Sequence, residues 1–149
     1  MLKKVPAKRT PTVAQSVAAP HAAAAVVSYC KDLEEWPGSW MGMEADLAAG
    51  EKMVACFKPF IVHLAGLGLS RKTVRKHVDN LWILGGELIR DLNETPRLRK
   101  RAVEDLIFDA VEDGGVLPHH HDSEEQVRSF EGTCRKFRRF LEQQRGRQD

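Results

Sequence analysis

Two groups of side chains in this sequence have the makings of chemistry: the imidazoles of His119, His120 and His121, and arginines and lysines gathered in particular stretches. Imidazole is a common metal ligand, yet three consecutive side chains in a loop rarely converge on one ion. His63 and His77 have no carboxylate or thiolate at ligand spacing. The histidine run therefore reads as a solvated loop, with metal-dependent activity there as the lesser alternative. Enzyme signatures are missing as well: there is no GxSxG, no HExxH, no Gly-rich phosphate loop and no carboxylate pair in an apolar setting. The expectation is a chain with no catalytic residues, no cofactor and no bound metal.

The basic residues carry more information. Formal net charge is only +2, but residues 1–31 hold five basic groups and no acidic one, 70–101 hold nine against four, and 124–149 hold seven against five. The intervening stretches, 32–69 and 102–123, together balance two basic groups against twelve acidic ones. Arg71, Lys72, Arg75 and Lys76 fall on the first turns of an expected helix, where the dipole favours anions instead. Arg128, Arg135 and Arg139 fall in a narrow arc of the last expected helix, with the side-chain-free Gly132 between them, and form a cationic strip. Arginine makes bidentate contacts to phosphate and base edges, and a helix fits the major groove. The alternative is a solvated face laced by pairs such as Arg75 with Asp79 and Arg138 with Glu142.

The elements that must position these groups are helices. The 149 residues, 42% hydrophobic and 30% charged, suit one globular core. Residues 1–28, rich in Ala, Pro, Thr and Val, are expected to form a disordered basic tail. Its Lys3, Lys4, Lys8 and Arg9 ahead of an alanine run outline a signal peptide, but proline breaks and a weakly hydrophobic centre argue against one. Residues 29–43 contain Trp36-Pro-Gly-Ser-Trp40, a turn bracketed by indoles that should pack on the domain edge. Over residues 44–145 the apolar spacing predicts a helical domain. A first helix runs from about Glu44 to Gly66, with Pro59 expected to kink or restart it. A second, from about Arg71 to Leu92, has Ser70 as its cap and Val74, Val78, Leu81, Gly85, Leu88 and Leu92 as its stripe. Trp82 and Ile89 widen that stripe, Gly85-Gly86 suits a close approach by another helix, and Ile83 is the misfit on the opposite side. A short helix from Val103 to Val111 follows, and Ser123 with Gln126 forms the capping box of a last one. No strand pattern and no repeat is present, so the class is all-α, a compact four- to five-helix bundle.

The stretch from Leu64 to Leu81, Leu-Ala-Gly-Leu-Gly-Leu-Ser-Arg-Lys-Thr-Val-Arg-Lys-His-Val-Asp-Asn-Leu, resembles the N-terminal, SAM-like core-binding domain of tyrosine recombinases and phage integrases, with its "G-L-S-x-x-T, basic helix" pattern. The likeness continues through the short helix to Cys134-Arg-Lys-Phe-Arg-Arg-Phe-Leu141 and covers about 85 residues, Phe57 to Leu141. It implies a domain that clamps duplex DNA with its second and fourth helices, and a link to mobile elements. Ser70, Arg71, Lys72, Thr73, Arg75 and Lys76 would match the opening of the second helix, and Arg135, Lys136, Arg138 and Arg139 the last; Arg128, from the cationic strip, joins them as a candidate DNA contact. The family's catalytic domain has no counterpart, and the single tyrosine, Tyr29, precedes the match. Strand cleavage is therefore not implied, and the acidic third helix would repel phosphate if it faced DNA.

The competing reading is a protein-interaction module or accessory subunit that associates, with itself or a partner, through Ile83, Trp36 and Trp40. Cys30, Cys56 and Cys134 are odd in number and far apart, which argues against disulfides and fits a reducing, cytoplasmic compartment. No apolar run approaches the roughly 18 residues of a membrane span.

Overall fold

The computed structural model describes residues 23–112 and 123–148. All of its regular structure is helical, with no strand among the described residues. A helix over 23–29, α1, leads through a 3-10 turn at Leu33–Glu35 to the short α2 (Trp36–Trp40). Two long helices follow, α3 (Ala45–Ala65) and α4 (Arg71–Glu94). After a 3-10 turn at Pro96–Lys100 come α5 (Val103–Ala110) and α6 (Glu124–Gln148).

The long helices start where capping chemistry allows. Ser70 Oγ accepts the Thr73 amide at 3.1 Å, and Ser123 Oγ accepts the Gln126 amide at 3.1 Å. Each satisfies a backbone donor that the helix cannot. α3 runs on through Pro59, whose ring is exposed. Gly68, with φ at +78°, turns the chain between α3 and α4, a conformation that costs other residues about 1 kcal/mol or more.

The core is aromatic at its centre. Phe60 stacks on Phe137 with ring centroids 4.5 Å apart, and Phe57 meets Phe137 edge-on at 5.8 Å, which joins α3 to α6. Trp36 and Trp40 both approach the Phe57 ring at 6.4 Å. The tryptophan segment thus reaches the interior, whereas its spacing suggested an edge. Trp36 is only 4% exposed. Val26 and Cys30 are buried too, so ordered, core-forming chain begins inside the stretch read as a tail.

Gly85 and Gly86 explain where Trp40 goes. A Cβ on Gly85 would stand 2.2 Å from Cζ2 of Trp40, because the indole lies directly on the α4 backbone. The expected close approach is therefore real, but it is made by one side chain of α2. Trp40 Nε1 donates to the Trp82 carbonyl at 3.0 Å. With Trp40 occupying that space, Trp82 is displaced outward to 44% exposure, although its place beside the apolar stripe suggested burial.

One carboxylate lies wholly inside. Asp46, in the first turn of α3, is 0% exposed and accepts from the Gly42 and Met43 amides at 2.8 and 3.0 Å, from Asn93 at 3.1 Å and from Arg99 at 2.7 Å. Burial alone pushes this carboxyl up. The hydrogen bonds from Arg99, Asn93, Gly42 and Met43 outweigh it and hold Asp46 down at about 2.

Candidate nucleic-acid interface

α4 and α6 pack through a polar seam. Asn80 Nδ2 donates to Thr133 Oγ1 at 2.8 Å and lies 3.1 Å from Ser129 Oγ, while His77 Nδ1 is 2.7 Å from Thr133 Oγ1. Rising positions on α4 meet falling positions on α6, so the helices run antiparallel. The basic opening of α4 consequently lies beside the middle and later turns of α6.

Two cations act together there. Lys76 and Lys136 both act on His77, and burial followed by these two charges lowers that imidazole below its ordinary range. Lys72 sits one turn before Lys76 on the same face of α4. His63, near the end of α3, packs against Phe140 at 4.9 Å and stacks on Phe60 at 6.3 Å. Burial, then Lys136 and Arg147, lowers His63 as well. Lys136 is common to both rings, so α3, α4 and α6 bring His63, His77, Lys76, Lys136 and Arg147 to one end of the bundle.

The other predicted contacts are elsewhere. Arg71 reaches back to α1, where it donates to Ser28 Oγ at 3.0 Å and to the Ser28 carbonyl, and lies over the Tyr29 ring at 4.9 Å. Arg75 lines the groove between that segment and α4 and faces the Asp79 carboxylate. Ser70 and Thr73 are committed to the helix start, their hydroxyls 2.9 Å apart. Arg128 and Arg135 are exposed, with Glu124 at 3.9 Å and Glu131 at 4.0 Å. Arg139 is exposed on the same strip.

Arg138 is the clearest departure from expectation. Its guanidinium donates to the Phe108 carbonyl at 2.8 Å and to Glu142 at 3.1 Å, and lies 3.6 Å from Glu112. It also sits 3.6 Å from the centroid of the Phe108 ring, as does Arg145. Two guanidinium carbons at that height would collide on one face, so they hold the ring between them. Arg138 is a tie between α5 and α6 and has little freedom to meet an outside anion.

The surface expected to be adhesive also changes. Trp36 is buried and Trp40 is partly buried. Ile83 is half-buried beside Trp82. The indole that sequence reasoning placed inside, Trp82, is the exposed one. Its Nε1 donates to Ser39 Oγ at 3.1 Å.

Sequence reasoning missed His63, His77 and Arg147 as neighbours of the cationic group. The only signal was weak: two histidines with no acidic residue at helical spacing. No three His, Cys, Asp or Glu side chains converge as a metal site among the described residues, and His119, His120 and His121 lie outside them. Burial pushes the Cys30 and Cys134 thiols up to about 12 and Cys56 to about 11, which leaves them protonated near neutral pH. No helix among the described residues is long and apolar enough to cross a membrane. Compared with family models, curated proteins and solved structures, the chain matches none.

Proposed function

We propose that this chain is a non-catalytic, core-binding-like domain that grips duplex DNA through the α4–α6 end of the bundle. Lys72, Lys76, Lys136 and Arg147 supply the charge. The observation that carries the reading is the packing of His77 against Thr133 at 2.7 Å and of His63 against Phe140 at 4.9 Å, which brackets Lys136 of α6 between an imidazole of α4 and one of α3. Lys136 and Arg138 are two residues apart, or about 200 degrees around the helix. Glu112 and Asp105, which Arg138 and Arg145 hold, therefore lie on the far flank of α6 from Lys136. The acidic helix is turned away from this surface.

With about four phosphate contacts, binding weakens roughly 100-fold between about 50 and 200 mM salt. Anisotropy titrations of a labelled duplex across that range test this. Charge reversal by Lys76→Glu with Lys136→Glu is expected to abolish binding. No binding at low salt, or a double variant that binds as well as the original chain, overturns the proposal.

A second reading, a protein-interaction module, is favoured by the exposed indole of Trp82 between two grooves, one lined by Arg75 and Asp79 and the other by Glu87 and Arg90. Exposed tryptophan is a common interface anchor. Under this reading Trp82→Ser lowers the solution mass of an associated form, and Lys136→Glu leaves that mass as it was.

A further inference from the structure

Three places have the makings of a further role. The groove beside Trp82 has mixed charge, and nothing about it selects an occupant. The Cys30 thiol is protonated and bonded to Asp32. The two imidazoles next to Lys136 carry an inference further than either.

We infer that DNA binding by this chain is proton-linked: His63 and His77 gain protons when a phosphodiester docks over Lys136, so acidification tightens the grip. The inference rests on the reading above and specifies how that site is regulated. The groups facing each ring define the effect. His63 meets the Phe60 and Phe140 rings, with Lys136 and Arg147 of α6 as the charges acting on it. His77 meets the uncharged Thr133, with Lys136 of α6 and Lys76 of its own helix as its charges. In the free protein partial burial, and after it those cations, lowers both rings below their ordinary range. A phosphate at Lys136 offsets the repulsion and makes the imidazolium favourable.

The surrounding network accommodates the change without repacking. Thr133 Oγ1 has the Ser129 carbonyl at 3.2 Å as a second acceptor. Its hydroxyl can point there while Oγ1 accepts from a protonated Nδ1 of His77, or it can donate to Nδ1 when that nitrogen is bare. Nε2 of His77 has no hydrogen-bond partner among the described residues, so it is free for a proton and an outside anion. The packed end keeps its contact with Thr133.

Each histidine raised by about one pKa unit on binding contributes about tenfold, so the two together tighten binding by up to about 100-fold between about pH 8 and about pH 5. The experiment measures duplex DNA affinity at those two pH values and fixed salt, for the full chain and for His63→Gln with His77→Gln. The expected result is a strong pH ratio in the full chain that falls to within about twofold in the double variant. A second measurement avoids dependence on that variant's folding. The NMR titration midpoints of the His63 and His77 ring protons in the unaltered chain should rise when duplex DNA is added. Salt-sensitive binding with no pH ratio, an equal ratio in both proteins, or midpoints that DNA leaves in place overturns the proton linkage and spares the DNA reading. Failure to bind at either pH in low salt removes the DNA reading itself.

Discussion

On one flank of α6, Arg138 and Arg145 clasp Phe108, and carboxylates answer them: Glu112, Glu142 and Asp105. On the other flank, Lys136 stands with Lys76 and Arg147 around two imidazoles, and the charges acting on those rings are cations. Lys136 and Arg138 come from one basic run in the sequence. Position around the helix separates them, because two residues' difference turns a side chain to the opposite side. A cationic run on a helix therefore says little about ligand binding until the element facing each charge is known.

The contrast predicts opposite results from similar substitutions. The largest effect belongs to the buried carboxylate that holds an internally paired cation: Asp46→Ala leaves Arg99 and two amides without their acceptor and costs about 3 kcal/mol in denaturant unfolding. Next, Arg138→Ala removes the α5–α6 tie and is expected to cost about 1–3 kcal/mol with little loss of DNA affinity. Lys136→Gln is its mirror image. Stability moves by no more than about 0.5 kcal/mol, while affinity falls about tenfold for the loss of one charge-assisted contact. If Arg138→Ala weakens binding more than Lys136→Gln does, the two flanks have been assigned the wrong way round.

The smallest effect concerns pH and stability. Both imidazoles are lowered in the folded chain, so the folded state binds fewer protons than the unfolded one. Their contribution is complete above the ordinary histidine range and is lost as pH falls through the lowered folded values. Denaturation midpoints should therefore decline from about pH 8 to about pH 5, and less so in His63→Gln with His77→Gln. Asp46 acts lower still. Its stabilisation is present above the ordinary carboxylate range and disappears as pH approaches about 2.

The long helices were legible because their signals are local. Three-and-four spacing with Ser70 and Ser123 as caps placed both ends of α3 and α4 within a few residues, and the start of α6. Pairing across distant chain was not legible. Asp46 and Arg99 are separated by 53 positions, and an aspartate in a first helical turn ordinarily suggests only the dipole. Arg138 shows both cases: its pair with Glu142 follows from i,i+4 spacing, but its bond to the Phe108 carbonyl depends on how α5 folds back. The exchange of roles between Trp36 and Trp82 had the same origin. Periodicity indicated which face of α4 is apolar, and the occupant of the space over Gly85 was supplied by a segment with no periodicity at all.

That occupied space also governs how the chain can be shortened. Trimming to residue 44, where the amphipathic pattern begins, removes Trp36 from Phe57 and lifts Trp40 off the glycine pair. A bare trough would remain along α4, flanked by aliphatic side chains newly in contact with water. The smallest self-sufficient fragment therefore includes α1 and α2, and a cut placed by helix pattern alone would yield a sticky, poorly folded product.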